Sequence, residues 1–349
     1  MSISRSWQGP PPASAPERPV QPTPTGEDSV FEASLRPKEF KEFVGQGKLI
    51  GNLHVYISAA RKRGEPLEHS LFSGLPGLGK TTLAQILARE MGGNFLATSA
   101  PALERARDLV GILTTLEKGD VLFVDEIHRL NPVVAEYLYG AMEDFAIDVV
   151  IDQGPNARSV KLTLKPFTLV GATTREGMLP APLRSRFGIL EKLEPYPWEE
   201  LVEILSRNAG RLGLKADQDA LELVARRARG TPRVANRFLR RLRDLAQFQE
   251  KTKLDRAVAE EGLKRLGVDE KGLDAMDRKI LQTLIRQKGR PVGLKTVAVT
   301  VGEEEETLAE VYEPFLIQQG FLLKTPRGRV ATEEAFRHLG EKMPGGLFP

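Results

Sequence analysis

The chain has 349 residues and a mass of 38.6 kDa, more than one ordinary domain requires and enough for two or three with buried cores. Its 41% apolar and 28% charged residues are the balance of a soluble globular protein, and no run reaches the roughly 18 apolar residues of a membrane helix. Fifty Lys and Arg against 47 Asp and Glu leave a net charge of +3, so an acidic partner must be met by a local patch. Zero cysteines exclude disulfides, thiolate catalysis and Cys-ligated zinc. Met1 to Trp7 carries no apolar stretch of the signal-peptide kind, which points to the cytoplasm.

Residues 1–30 hold Pro10, Pro11, Pro12, Pro16, Pro19, Pro22 and Pro24 and almost no aliphatic side chains. They cannot bury enough surface to offset the entropy of ordering and are expected to form a disordered tail. From 31 to 194, helical spacing alternates with short apolar runs: Ser70 to Ser73, Val121 to Val124, and Phe167 to Gly171. Such runs, bounded by glycine and charge, predict buried strands of a parallel sheet in an α/β domain. Pro195-Tyr196-Pro197 then punctuates the chain, and residues 195–267 show helical spacing only. Residues 268–349 read as three helices followed by two short strands around Thr325-Pro326-Arg327-Gly328, the order of a winged helix.

Gly74-Leu75-Pro76-Gly77-Leu78-Gly79-Lys80-Thr81 matches the G-x-x-x-x-G-K-[ST] phosphate loop, set between a strand and the helix that begins near Thr82. The chemistry needs those residues: glycines let backbone N–H groups curl around phosphates, Lys80 neutralises the β and γ oxygens, and the Thr81 hydroxyl ligates Mg²⁺. Some 40 residues on, the strand Val121 to Val124 delivers Asp125 and Glu126 at its C-terminal end, where nucleotide-binding sheets put their chemistry. Asp125 is expected to hold Mg²⁺ and Glu126 to polarise the attacking water. Together these features predict a nucleotide hydrolase and not a passive binder. Gly171 to Arg175 and Pro182 to Phe187 supply polar and basic groups after a third strand.

The order of phosphate loop, Asp-Glu strand, polar strand end, Arg184-Ser185-Arg186-Phe187, helical lid with Arg229-Gly230-Thr231-Pro232-Arg233, and winged helix resembles that of the AAA+ ATPases. In detail it is similar to the RuvB family, bacterial Holliday-junction branch-migration motors, from about Ser34 to the C-terminus. The segments that carry this likeness are Leu35-Arg36-Pro37, Asp125 to Leu130, Ala141-Met142-Glu143-Asp144-Phe145, Gly171 to Arg175, Pro291 to Leu294, Val311 to Pro314, and Thr325 to Arg329. The chain departs from the family pattern at Ser73 and Leu75, whose side chains are not needed to cradle phosphate. The resemblance implies an α/β P-loop AAA+ domain, an all-helical lid and a C-terminal winged helix.

It further implies a nucleotide pocket lined by Leu35, Arg36, Gly77, Leu78, Gly79, Lys80, Thr81, Thr82 and Tyr196. Thr174 is the implied γ-phosphate sensor, with Thr173 the alternative, and Arg233 the lid sensor of the subunit's own nucleotide. Arg186, with Arg175 and Arg184 as rivals, is the implied finger reaching a neighbour's nucleotide, near which Glu143, Asp144 and Phe145 also lie. The other arginines of 226–241 read as a solvated face. The expected partners are double-stranded DNA and Holliday junctions, RuvA, RuvC indirectly, and further copies of the chain in a ring, six by family likeness. Two rival readings are a clamp-loader-like switch and a non-enzymatic DNA-binding regulator.

Two surfaces complete the reading. Ile147, Val149 and Ile151, then Val160, Leu162 and Leu164, alternate with polar residues about the turn Gly154-Pro155-Asn156, which predicts a hairpin with one apolar face. That face packs on the chain's own body or, by the resemblance, grips RuvA through Val160, Leu162 and Leu164. In the winged helix the third helix is acidic, with Glu303 to Glu306, Glu310 and Glu313, whereas the wing carries Lys324, Arg327 and Arg329. DNA contact is therefore expected through the wing, to backbone phosphates and without base reading.

Overall fold

The structure, a computed structural model, describes residues 34–150 and 159–342. The proline-rich segment, and Ile151, Asp152 and the Gly154-Pro155-Asn156 turn of the hairpin, lie outside the described residues. The first domain contains strands β1 (Ser70–Ser73), β2 (Phe95–Ser99), β3 (Val121–Asp125), β4 (Ala146–Val150), β5 (Ser159–Thr163), β6 (Thr168–Thr173) and β7 (Ile189–Lys192). Five of them form a parallel sheet in the order β2-β3-β6-β1-β7.

The three strands read from apolar runs occupy the middle of this sheet. β1 and β6 are buried along their whole length, as helices on both faces require. The flanking strands β2 and β7 were not singled out by sequence, because an edge strand needs no continuous apolar run: Phe95–Ser99 is half-exposed, and β7 alternates Ile189 inward with Leu190 outward. The order matters for the site. With β6 between β1 and β3, the turn after β6 opens between the phosphate loop and the Asp-Glu pair.

β4 and β5 form the predicted antiparallel hairpin, with Ile147 opposite Leu162 and Val149 opposite Val160. Its apolar residues divide between two environments. Leu164, 6% exposed, packs with Ile147 into the core containing Phe167 and Leu169, and its N–H donates to the Phe145 carbonyl at 2.7 Å. The expectation that Leu164 contacts a partner is corrected: a residue in its own domain's core has no surface to offer. Leu162 is half-buried against that core, and Val160 is 46% exposed. Leu164→Asp is expected to unfold the domain, since an unpaired charge buried in a core costs about 4 kcal/mol or more. On the resemblance's expectation that this edge meets RuvA, Val160→Asp should leave the melting temperature and ATP turnover unchanged and weaken RuvA binding about 10-fold or more, measured by titration of RuvA onto each variant. A melting temperature lowered equally by both would assign Val160 to the fold as well.

Four helices, Trp198–Arg211, Gln218–Arg227, Pro232–Phe248 and Arg256–Arg265, form the second unit. The arginines of 226–241 sit on two of these, broken at Ala228 to Thr231, and they are not one solvated face. Arg229 takes a left-handed φ of 58° at the break and turns inward to Asp277 at 2.6 Å and Asp274 at 2.9 Å, with its guanidinium over the Phe315 ring. It joins the helical unit to the winged helix. Burial pushes the Asp277 carboxyl upward, against the pull of Arg229.

The winged helix has helices Ala275–Arg286 and Leu294–Val301. Its third helix runs through Glu305–Thr307, a wide π turn Leu308–Tyr312, and Glu313–Gln318. Pro314 explains the wide turn: it has no N–H for the Glu310 carbonyl, and its ring pushes that carbonyl away. The wing is β8 (Leu322–Thr325) paired antiparallel with β9 (Gly328–Ala331), and a short helix Glu333–His338 closes the unit. Among the described residues no helix is long and apolar enough to cross a membrane.

Candidate nucleotide site and its flanking surfaces

The phosphate loop leaves β1 at Gly74, whose N–H donates to the Thr173 carbonyl at 3.1 Å, and ends where the helix Lys80–Met91 begins. Gly77 has φ +80°, and a Cβ there would lie 2.8 Å from both Arg233 Cβ and Thr231 Cγ2. Only glycine lets the lid close on the loop at this point. Lys80 Nζ donates to the carbonyls of Gly74 at 2.7 Å and Leu75 at 3.0 Å. Burial pushes its ammonium down to about 8 despite the nearby Asp125 and Glu126, so it stays charged at neutral pH and is held where a polyphosphate oxygen can replace the carbonyls.

Asp125 ends β3, and its Oδ1 accepts the N–H of Glu126 at 3.0 Å. Glu126 has φ 50°, a left-handed conformation that costs a non-glycine residue about 1–3 kcal/mol and concentrates at functional sites. Its carboxylate meets Arg129 at 3.1 Å, with both side chains about half exposed; such a pair is worth at most about 1 kcal/mol, so releasing Glu126 is cheap. After β6 the two threonines differ in hydrogen bonding. Thr173 Oγ1 accepts the N–H of Arg175 and bonds His128 Nδ1, both at 2.9 Å. Thr174 Oγ1 is buried without a hydrogen-bond partner, and Thr174 lines the cavity. An orphaned hydroxyl facing a polar cavity is suited to a ligand oxygen.

The cavity has a volume of about 480 Å³ and lies among all three units. Leu35, Arg36, Gly77, Leu78, Gly79, Lys80, Thr81, Thr82, Asp125, Glu126, Thr174, Tyr196 and Arg233 all line it, as the sequence reading expects. Tyr196 is buried, and its hydroxyl donates to the Leu78 carbonyl at 3.3 Å; burial raises its phenol far above the ordinary value. Arg211 of the first lid helix donates to the Leu35 carbonyl at 3.0 Å and pairs with Glu42 at 3.2 Å, which ties the segment carrying Leu35 and Arg36 to the lid. Sequence reasoning missed Phe43, Val44, Ile204, Asn208, Asn236 and Glu310, which also line the cavity. They are ordinary helix and loop residues far apart in sequence, and no local pattern marks them.

Glu143, Asp144, Phe145 and Arg186 do not line it. Arg186 meets Glu143 at 3.0 Å, donates to the Pro182 carbonyl at 2.5 Å and lies over the Tyr139 ring. Glu143 and Asp144 are exposed, while the Phe145 ring packs on His69 and Phe167 in its own domain. Of the rival arginines, Arg184 pairs with Glu176 at 2.6 Å and Arg175 with Glu310 at 2.5 Å. Among the described residues no cluster of three or more His, Cys, Asp or Glu could hold a metal by itself. Thr81 and Asp125 in the cavity wall nevertheless suit Mg²⁺, which usually takes one or two protein oxygens and completes its shell with phosphates and water.

The wing presents Lys324 and Arg327 to solvent. Arg329 is different: it faces the third helix and grips Glu313 through Nε at 2.5 Å and Nη2 at 3.1 Å, leaving Nη1 outside the fork. Both side chains are largely buried. Replacing Lys324 or Arg327 by alanine should lower the slope of log K against log salt by about one per lost contact, equally for two unrelated duplexes. Arg329→Ala should instead destabilise the winged helix by ~3 kcal/mol, because it strands a buried carboxylate. Duplex titrations at several salt concentrations, alongside thermal melts, separate the two effects, and a clear preference between the duplexes would move recognition off the wing.

A five-stranded parallel sheet with a phosphate loop, an Asp-Glu strand end, a buried unpartnered threonine hydroxyl between them and a helical lid over the cavity defines an AAA+ P-loop ATPase. Residues 35–193 match the family model described as the Holliday junction DNA helicase RuvB P-loop domain, 196–269 the RuvB AAA lid domain, and 270–340 the RuvB C-terminal winged helix domain. The chain belongs to the RuvB family. The Holliday junction branch migration complex subunit RuvB of Chlorobaculum tepidum is 55% identical over 329 residues, covering 93% of this chain and 96% of that protein. The corresponding subunit of Myxococcus xanthus is 55% identical over 327 residues, covering 92% and 95%. The solved Thermotoga maritima RuvB Holliday junction branch migration motor superposes with a TM-score of 0.82 at 47% identity, covering 89% of this chain and 100% of that one.

Proposed function

We propose that this chain is an ATP- and Mg²⁺-dependent DNA motor that, with RuvA, migrates Holliday junctions in recombination and repair by pumping duplex DNA through a ring. The observation that carries the reading is the division of the site. One cavity gathers the phosphate loop, Asp125, Glu126, Thr174 and Arg233, while Arg186 and Glu143 lie paired away from it. A site complete but for its finger needs a neighbouring copy, so the working form is a homo-oligomeric ring, six subunits by family likeness.

In this reading Thr81 and Asp125 would hold Mg²⁺, which neutralises charge on the β- and γ-phosphates when bound. Lys80 holds the phosphate oxygens, and Glu126, freed from Arg129, orients the attacking water. Thr174 reads the γ-phosphate, and Arg233 reports the same nucleotide to the lid. Arg186, with Glu143, Asp144 and Phe145, faces the next subunit's nucleotide. Lys324 and Arg327 meet duplex phosphates, with Arg329 bracing the wing from beneath through Glu313, and Val160 with Leu162 meets RuvA, through which RuvC is reached. The working units are 31–194, 195–267 and 268–349, following the tail 1–30, and the place of work is the cytoplasm.

The testing experiment is migration of a synthetic four-way junction. Branch movement that requires ATP, Mg²⁺ and RuvA is expected. Hydrolysis without movement would return the clamp-loader-like reading, and DNA binding without hydrolysis the regulator reading.

A further inference from the structure

The acidic third helix of the winged helix does not only avoid DNA; it reaches the nucleotide cavity. Glu310, on the π turn enforced by Pro314, lines that cavity and is 15% exposed. Its carboxylate meets Arg175 Nε at 2.5 Å, and Glu306 lies 3.7 Å from the same guanidinium. Arg175 directly follows Thr174, and its backbone N–H is anchored to Thr173 Oγ1. Its backbone is thus fixed to the strand end, whereas its guanidinium is held by side chains alone: Glu310, Glu306 and the Met178 sulfur at 3.6 Å. His128, Glu126 and Arg129 lie in the same charged surroundings.

We propose that Glu310 is a positioning residue that holds Arg175 back from the γ-phosphate, so that ATP loading and docking of the winged helix compete for one guanidinium. The proposal rests on the reading of the cavity as an ATP site with the γ-phosphate beside Thr174. A carboxylate in the wall of a polyphosphate site opposes the triphosphate more than the diphosphate, and the Arg175 pair neutralises it. A phosphate group offers Arg175 a competing planar, two-point partner. If the γ-phosphate draws Arg175 away, Glu310 loses its cation and the helix that carries it loses its tie to the sensor strand. Because coupling between two sites is reciprocal, a winged helix pulled away by DNA should in turn release Arg175 to the nucleotide.

The test is equilibrium affinity for ADP and for adenylyl imidodiphosphate, a triphosphate analogue that is not hydrolysed, in the full chain, Glu310→Gln, Arg175→Gln and the double variant. Glu310→Gln removes the nearer of the two carboxylates on Arg175, leaving only the longer Glu306 contact, and should tighten the analogue ~5-fold or more while ADP changes less than ~2-fold; Arg175→Gln takes the cation from Glu310 and should weaken the analogue by a similar factor. The double variant should fall between them. Opposite signs in the two single variants are the signature, because loss of a merely structural contact would weaken both nucleotides in both variants alike. Parallel weakening, or an unchanged analogue-to-ADP ratio in all variants, would overturn the proposal while leaving the ATP site intact. Failure of the unmodified chain to bind either nucleotide would overturn the site reading and the proposal with it.

Discussion

Arg186→Ala is expected to lower ATP turnover by ~10³–10⁵-fold, the usual contribution of an arginine finger, without loss of nucleotide binding. Arg186 is outside the cavity of its own subunit and is held by Glu143, Pro182 and Tyr139 on a separate surface. Its cation is therefore not placed to act on a nucleotide beside Lys80 of the same chain. The geometry makes a complementation result specific. Lys80→Ala subunits cannot hold nucleotide but keep Arg186, and Arg186→Ala subunits hold nucleotide but lack the finger. Mixed, the two dead variants should regain part of the activity, because intact Lys80 and intact Arg186 meet at some interfaces. Mixed assemblies that form yet show no more turnover than either parent, at any ratio, would rule out action across an interface.

Glu126→Gln should bind ATP as the unmodified chain does and hydrolyse it at least ~10²-fold more slowly, the scale of general-base loss. The strained φ of Glu126 and its weak, exposed pair with Arg129 hold the carboxylate at the cavity wall without committing it to a strong partner. Gln keeps the shape and removes the basicity. Lys80→Ala should do the reverse, weakening binding at once, because the buried ammonium is the main positive charge on the loop. Single-turnover hydrolysis and nucleotide titration together distinguish these outcomes, and near-native turnover in Glu126→Gln would remove the residue from the water-activating role.

Arg129 helps explain why part of the site could not be read from the chain. Its pairing with Glu126 is a local i,i+3 contact, visible in principle once Glu126 is placed, yet nothing in the motif distinguishes it from any other surface arginine. Thr173 and Thr174 are a sharper case. Both were open as the sensor, and hydrogen bonding separates them: Thr173 is engaged by His128 and Arg175, while Thr174 is left facing the cavity. Leu164 and Arg229 fail in the same way. Each belongs to an alternating or repeating pattern whose members differ in burial, and only contact with a distant segment decides which of them is taken inward.

The sequence by itself determined the elements whose signal is local. Fixed spacing marks a phosphate loop because its glycines and lysine must surround one phosphate group. A continuous apolar run marks a central strand, and the proline content of residues 1–30, the Pro195-Tyr196-Pro197 break and the order of helices and strands separate tail, lid and winged helix. The tertiary structure alone decided what depends on which segments become neighbours. The insertion of β6 between β1 and β3 puts Thr174 between Lys80 and Asp125. The closure of the lid sets Tyr196 and Arg233 over the loop, and a π turn more than 130 residues from Arg175 brings Glu310 to it. These are long-range pairings selected by the free energy of the whole packed chain, and such a choice leaves no periodicity or motif in the residues that make it.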